Sequence, residues 1–478
     1  VAHIIEESLK NGKTFEAAML DVAKEIKGSY AIAAIFCSDP NEIICLRKES
    51  PLVIGIGEDG VYCASDVPAF LSLTRKALYI EENEMVVLTL EGVRIYNATT
   101  GQQISRAPVE ITWSPDSARK EGFPHYMLKE IHEQGTTIRN ALRTQTIYHE
   151  LVASKILEAD RVFFIACGTA FHSCLAGSRA FAKLAHVDAH AVVGSEFNGI
   201  YADLLTKRSV IIAVSQSGET ADTLSAVREA KSRGASILSI TNVMGSTLTR
   251  LSDVYIGQNS GPEIGVAATK TFTAQVAILT KLAVILSARK GTISSAIASE
   301  LMKKLEESAF IADKILIGDD EKIRSMSRRY KDRVSFCFLG RGISEVTALE
   351  ARLKLLEIAY VPALAYAAGE SKHGFIALVE PGYPVVFITP QDDTYNKIIG
   401  NVMEMKARGA HIIAVVDAND SQIKKLADDY IEIPAGTVEI TTPLTYVIPL
   451  QLFAYHMAVE RGYDPDQPRN LAKSVTVQ

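Results

Sequence analysis

The chain has 478 residues, 47% of them apolar and 22% charged, which is the composition of an ordinary globular protein with room for several cores. Its net charge of −6 gives no overall basic field for nucleic acid or anionic lipid. No apolar run approaches the roughly 20 residues that span a bilayer, so no membrane segment is expected. Cys37, Cys45, Cys63, Cys167, Cys174 and Cys337 are scattered without metal-ligand spacing, so neither a disulfide framework nor a metal site is expected and a reducing cytoplasm is.

In chain order, residues 1–30 read as a helix pair, with Phe15, Ala18, Met19, Val22 and Ile26 on one stripe. Residues 29–110 turn to short strands: Tyr30–Phe36, Glu42–Leu46, Leu52–Ile56, Val61–Ala64, Met85–Thr89 and Val93–Tyr96. They are separated by turns such as Gly57-Glu58-Asp59-Gly60, as an antiparallel layer requires. Residues 104–145, with Pro108, Trp113, Pro115 and Pro124, read as a linker running into one helix, Tyr126–Arg143.

Beyond residue 146 strands and helices alternate. Val162–Ala166, Ala189–Val193, Ser209–Val214, Ile237–Thr241 and Val254–Ile256 predict a parallel sheet covered on both faces, with helix resuming at about His172 after the first strand. In such sheets ligands bind beyond the carboxyl ends of the strands. The pattern then repeats. Arg161–Gly168 matches Arg333–Gly340, Val210–Gln216 matches Val385–Gln391, and Lys231–Leu238 matches Lys406–Ile413, always about 170–175 residues apart. Two copies of one α/β domain follow.

After the strand Ser209–Val214 comes Ser215-Gln216-Ser217-Gly218-Glu219-Thr220 and then a helical pattern. A strand opening into a helix through a hydroxyl-rich turn suits a phosphate, which amides, hydroxyls and the helix dipole would hold. A polar capping turn would look the same in isolation. The second copy has Pro390-Gln391-Asp392-Asp393 at this place, whose carboxylates would repel an anion, so one phosphate site per chain is expected. Spacing puts Glu350, Lys354 and Glu357 on roughly one helix face, where a solvated charged stripe with an i,i+4 Glu–Lys pair is the plain reading. A loop, Tyr366–Gly374, carries His373, and the aperiodic C-terminus carries Lys473. A lysine held in a pocket can form a Schiff base with a carbonyl.

Taken together, Cys167-Gly168-Thr169, the Ser215–Thr223 turn, Glu263-Ile264-Gly265-Val266-Ala267, Ala365–Glu370 with Lys372-His373-Gly374, and Asn470–Val477 resemble the glutamine–fructose-6-phosphate aminotransferase (isomerising) family over essentially the whole chain. The resemblance implies two tandem sugar isomerase (SIS) domains with helix-flanked parallel sheets, preceded by a partial, β-rich glutaminase domain of the N-terminal-nucleophile type. The divisions expected are 1–110, a linker and connecting helix over 111–145, SIS domains over 146–305 and 306–462, and a catalytic tail over 463–478.

The resemblance also implies synthesis of glucosamine 6-phosphate from fructose 6-phosphate, with glutamine or ammonia as nitrogen source, no cofactor, and a homodimer whose sites are completed across the interface. Ser215, Gln216, Ser217 and Thr220 would hold the phosphate. Cys167, Gly168, Thr169, Val266 and Ala472 would line the sugar. Lys473 would form the imine and Glu357 would move the proton between C1 and C2. Lys354 and Glu350 would support it, and His373 of a neighbouring subunit would assist ring opening.

Residue 1 is Val rather than the family's N-terminal cysteine nucleophile, so glutamine hydrolysis is not expected of the chain as it stands. Ala170 and Ala268 stand where many members carry Ser, so two hydroxyl contacts to the sugar are expected to be missing. A plain sugar-phosphate isomerase or deglycase, and a non-catalytic sugar-phosphate sensor, are the competing readings. The β-rich 1–110 segment speaks against the first. The absence of a helix-turn-helix and of a basic patch speaks against the second.

Overall fold

The computed structural model describes residues 1–28, 30–48, 50, 52–65, 67–111 and 120–475. The N-terminal region is layered. Helix Phe15–Glu25 buries Phe15, Ala18, Met19 and Val22, as the stripe predicts, against a five-stranded antiparallel sheet. That sheet runs in the order Tyr30–Phe36, Asp39–Lys48, Glu84–Thr89, Gly92–Asn97, Gln103–Ile104. A second antiparallel sheet pairs Val61–Ala64, Val53–Ile56, Lys76–Tyr79 and Val109–Glu110. Cys45, Ile54, Leu78, Val86 and Leu88 fill the space between the sheets. Lys76–Tyr79, Gln103–Ile104 and Val109–Glu110 escape the sequence reading because two to four residues show no period of their own. Trp113 and Pro115 of the predicted linker lie outside the described residues.

The predicted helix Tyr126–Arg143 is two helices, Tyr126–His132 and Gln134–Leu142, parted at Glu133 (φ −81°, ψ −6°). The second of them passes so close to helix Ser295–Gly318 that a Cβ on Gly135 would stand 3.0 Å from the Ala309 carbonyl oxygen. Met127, Ile131, Ile138 and Ala141 are core residues of the α/β region, so this stretch packs as part of that core.

Two five-stranded parallel sheets follow, with one topology. The first has the order Ala189–Val193, Arg161–Ala166, Ser209–Ser215, Ser236–Thr241, Val254–Gly257. The second has Ala363–Ala367, Phe336–Gly340, Pro384–Thr389, His411–Asp417, Asp429–Ile433. Identical order from matching segments is what a duplicated domain predicts. The helix expected from about His172 begins at Gly168, directly after Cys167 leaves the strand in an extended conformation. The expected loop Tyr366–Gly374 begins as edge strand and continues as a short 3₁₀ turn, Glu370–His373.

One core runs through both copies, from Phe164 and Ile212 to Phe338 and Val386. Helix Lys270–Lys290 runs through it and is a longer apolar stretch than the sequence reading picked out. Its mean hydropathy of 1.6 makes it long and apolar enough to cross a membrane, but 89% of that stretch is buried among neighbouring helices. Such burial is the signature of a core helix that is hydrophobic all round.

Candidate functional site

The fully buried strand Ser209–Ser215 ends in the hydroxyl-rich turn, and helix Ala221–Ser232 begins beyond it. The turn is internally tied. The Gly218 amide donates to Ser215 Oγ (3.0 Å), the Glu219 amide to Ser217 Oγ (3.2 Å), and the Ser215 and Thr220 hydroxyls lie 3.2 Å apart. Gly218 has φ +69°, and a Cβ there would stand 2.2 Å from Ser246 Oγ, so conformation and space both demand glycine. The amide of Ala221, at the positive end of the helix, donates to the Val475 carbonyl (3.0 Å), which docks the C-terminal tail onto the turn.

A cavity of about 440 Å³ opens here, bounded by Gln216 and Ser217 of the turn, Ala472 and Lys473 of the tail, and Arg47 and Tyr79 of the N-terminal layer. Arg47 is almost wholly buried. It donates to Glu219 Oε2 (3.0 Å) and to the Ile80 carbonyl, while Glu219 also accepts from the Thr247 amide (2.7 Å) and hydroxyl (2.8 Å). This cross-layer pair was not foreseen. Its residues lie 172 positions apart, and no local pattern marks them.

Lys473 is gripped on its other side. Its Nζ donates to Glu263 Oε2 (2.6 Å) and to the Gly265 carbonyl (2.8 Å). Burial works against the Glu263 charge, but Lys473 and the Thr269 and Thr271 amides outweigh it and hold its pKa below the usual carboxylate value. The Val266 amide donates to the Asp466 carbonyl (3.1 Å), so the 263–267 loop and the tail brace each other.

The helix Ser344–Ala359 of the second copy supplies a separate cluster, and it is not a solvated stripe. Glu350 and Lys354 are completely buried, and Glu357 keeps 21% of its side chain exposed. Lys354 Nζ donates to Glu357 Oε2 (2.7 Å) and to Thr169 Oγ1 (3.0 Å) and stands 3.4 Å from Glu350. Thr169 in turn donates to Glu350 Oε1 (3.0 Å), and His172 Nδ1 lies 2.7 Å from Glu350 Oε2. Burial opposes the Lys354 charge, yet Glu350 and Glu357 override it and push the lysine's pKa up; burial opposes the Glu350 charge too, and Lys354 and His172 hold it down. The cluster thus presents one partly exposed carboxylate, Glu357, held in place by a buried ammonium. His172 was missed, although its place three residues after Thr169 puts both on one helix face.

Cys167 sits at the carboxyl end of its strand, 3.6 Å from Thr223 Oγ1, and burial pushes its thiol pKa up. It is therefore not an activated nucleophile. Gly168 follows it at φ +56°. His373 stands exposed on the Glu370–His373 turn, outside both clusters within this chain.

The SIS domain model matches residues 155–285 and 330–461, more than half of the chain. Glutamine–fructose-6-phosphate aminotransferase [isomerizing] of Thermococcus kodakarensis is 42% identical over 481 residues, covering all of this chain and 79% of the relative. The protein of the same name from Pyrobaculum aerophilum is 43% identical, covering all of this chain and 78% of its own length. The solved C-terminal domain of glucosamine–fructose-6-phosphate aminotransferase from Francisella tularensis superimposes with a TM-score of 0.68 at 33% identity, over 73% of this chain and all of that one. A putative phosphosugar isomerase from Silicibacter pomeroyi follows with a TM-score of 0.59 at 26% identity. With two SIS domains and more than 40% identity over the whole of this chain, the chain belongs to the glutamine–fructose-6-phosphate aminotransferase (isomerizing) family.

Proposed function

We propose that the chain makes glucosamine 6-phosphate from fructose 6-phosphate, with nitrogen from glutamine or free ammonia, and that its α/β half carries the sugar chemistry. The observation that carries the reading is the seating of Lys473 on the cavity that Gln216 and Ser217 also line. In this reading Ser215, Gln216, Ser217 and Thr220 hold the phosphate, and Cys167, Gly168, Thr169, Val266 and Ala472 line the sugar. The neutral amine of Lys473 attacks the open-chain ketose at C2, and water leaves as the imine forms. Ammonia displaces the lysine amine at the C2 imine, and Glu357, backed by Lys354 and Glu350, then takes a proton from C1 and returns it at C2. His373 acts from a neighbouring subunit in a homodimer, and six free cysteines fit a reducing cytoplasm.

The test is incubation with fructose 6-phosphate followed by borohydride and mass spectrometry. We expect an adduct on Lys473 that is lost in Lys473→Met. In Glu357→Gln, conversion to glucose 6-phosphate should fall by at least about 10²-fold with sugar-phosphate binding retained. Binding without adduct or turnover would instead favour a sensor.

A further inference from the structure

Helix Tyr126–His132 carries Glu130 into the interior at 2% exposure. A buried carboxyl is costly unless its oxygens find partners. Glu130 Oε1 accepts from the Ile264 and Gly265 amides. Its Oε2 is buried and has no hydrogen-bond partner among the described residues. Gly265 makes the fit possible, because a Cβ there would stand 2.9 Å from Oε2. The two amides that Glu130 holds lie between the two groups that grip Lys473. Glu263 directly precedes Ile264, and the Gly265 carbonyl is the second acceptor of the lysine.

We propose that Glu130 is a positioning residue for Lys473, fixing the 263–267 loop so that Glu263 and Gly265 hold the tail lysine in line with the sugar carbonyl. This rests on the reading of Lys473 as the imine-forming residue. The charged groups facing Glu130 are Glu263 from the loop, Lys473 from the tail and Lys270 from helix Lys270–Lys290, the last already paired with Glu133 (2.5 Å). Burial first, then repulsion from Glu263, raises the Glu130 pKa to about 8, which favours the uncharged carboxyl at neutral pH. Its ionisation would place a second negative charge beside Glu263 and disturb the loop that grips Lys473.

The experiment compares the chain with Glu130→Ala and Glu130→Gln, using fructose 6-phosphate as probe. The readouts are the rate of borohydride-trapped adduct on Lys473 from neutral to alkaline pH, KM and kcat for conversion to glucose 6-phosphate, and calorimetric binding of the sugar phosphate. Glu130→Ala should slow trapping by about 10²-fold, the cost of a misplaced reacting group, with KM little changed because the phosphate turn lies elsewhere. Glu130→Gln keeps an acceptor for the two amides and cannot ionise. It should restore most of the trapping rate and remove a decline that the parent shows above about pH 8. Parental trapping in Glu130→Ala, or Glu130→Gln as slow as Glu130→Ala, would overturn the proposal. If Glu130→Ala fails to bind the sugar phosphate, the alkaline limb of Glu130→Gln decides alone, and an unchanged limb refutes the assignment. Lys473→Met separates the two ideas. An adduct that survives there removes the imine reading itself, whereas loss of the adduct there beside indifference to Glu130 removes only this inference.

Discussion

Lys354→Met tests whether the carboxylate–lysine cluster is held together as the geometry says. The lysine is fully buried and bonds Thr169 and Glu357 while facing Glu350 at 3.4 Å. Removing it affects its two carboxylates unequally. Glu357 is 21% exposed and can turn to water. Glu350 is 0% exposed and, among the described residues, keeps only Thr169 and His172. Stripping one partner from a buried pair costs about 3–5 kcal/mol, and the two bonds left to Glu350 put this case near about 3. The double variant Lys354→Met, Glu350→Gln removes the orphaned charge and should recover about 1–2 kcal/mol, so the two changes are strongly non-additive.

The pH dependence has a definite sign. In the parent, Glu350 has a folded pKa below its ordinary 4.5, so its stabilisation is present above that value and is lost as pH falls through the folded pKa. In Lys354→Met burial dominates and the folded pKa rises, so protonation relieves the variant and the stability gap narrows as pH drops toward and below 4.5. Urea unfolding followed by circular dichroism at neutral and acid pH measures both effects. A loss under about 1 kcal/mol, additive variants, or a gap that widens in acid would refute the reasoning.

Two further outcomes are expected. Gly218→Ala forces a side chain into φ +69° and to within 2.2 Å of Ser246 Oγ, so calorimetry should find fructose 6-phosphate binding weakened by about tenfold, and unchanged binding would remove the turn from the phosphate site. His149 is buried against helix Lys270–Lys290, and burial, then Lys281, lowers its pKa from 6.5 to about 4. The unfolded chain therefore binds the extra proton first, and stability falls as pH drops from 6.5 toward 4, a loss that His149→Gln should reduce in pH-resolved thermal melts.

The sequence by itself determined most of the elements and the architecture. Fully buried strands such as Ser209–Ser215 are continuous apolar runs, the stripe of helix Phe15–Glu25 has helical period, and the duplicated segments foretold two sheets of one topology. It also located the hydroxyl turn, the Glu350–Glu357 face and the tail lysine, since each is a local pattern of residue types. What it could not decide is which of those patterns is buried and what each one touches. Glu350 and Lys354 read as a solvated stripe until Thr169 and His172 of the other copy close over them. A single predicted helix is two, parted at Glu133, and the close approach at Gly135 in the second of them has no trace in helix propensity. Arg47 meets Glu219, and Glu130 meets the 263–267 loop, across 172 and 134 positions of chain. Such pairs are made by the folding of separate layers onto one another, and burial strengthens them by lowering the local dielectric. Spacing along the chain encodes which residues share a face. The partner that face meets is decided only by the tertiary structure.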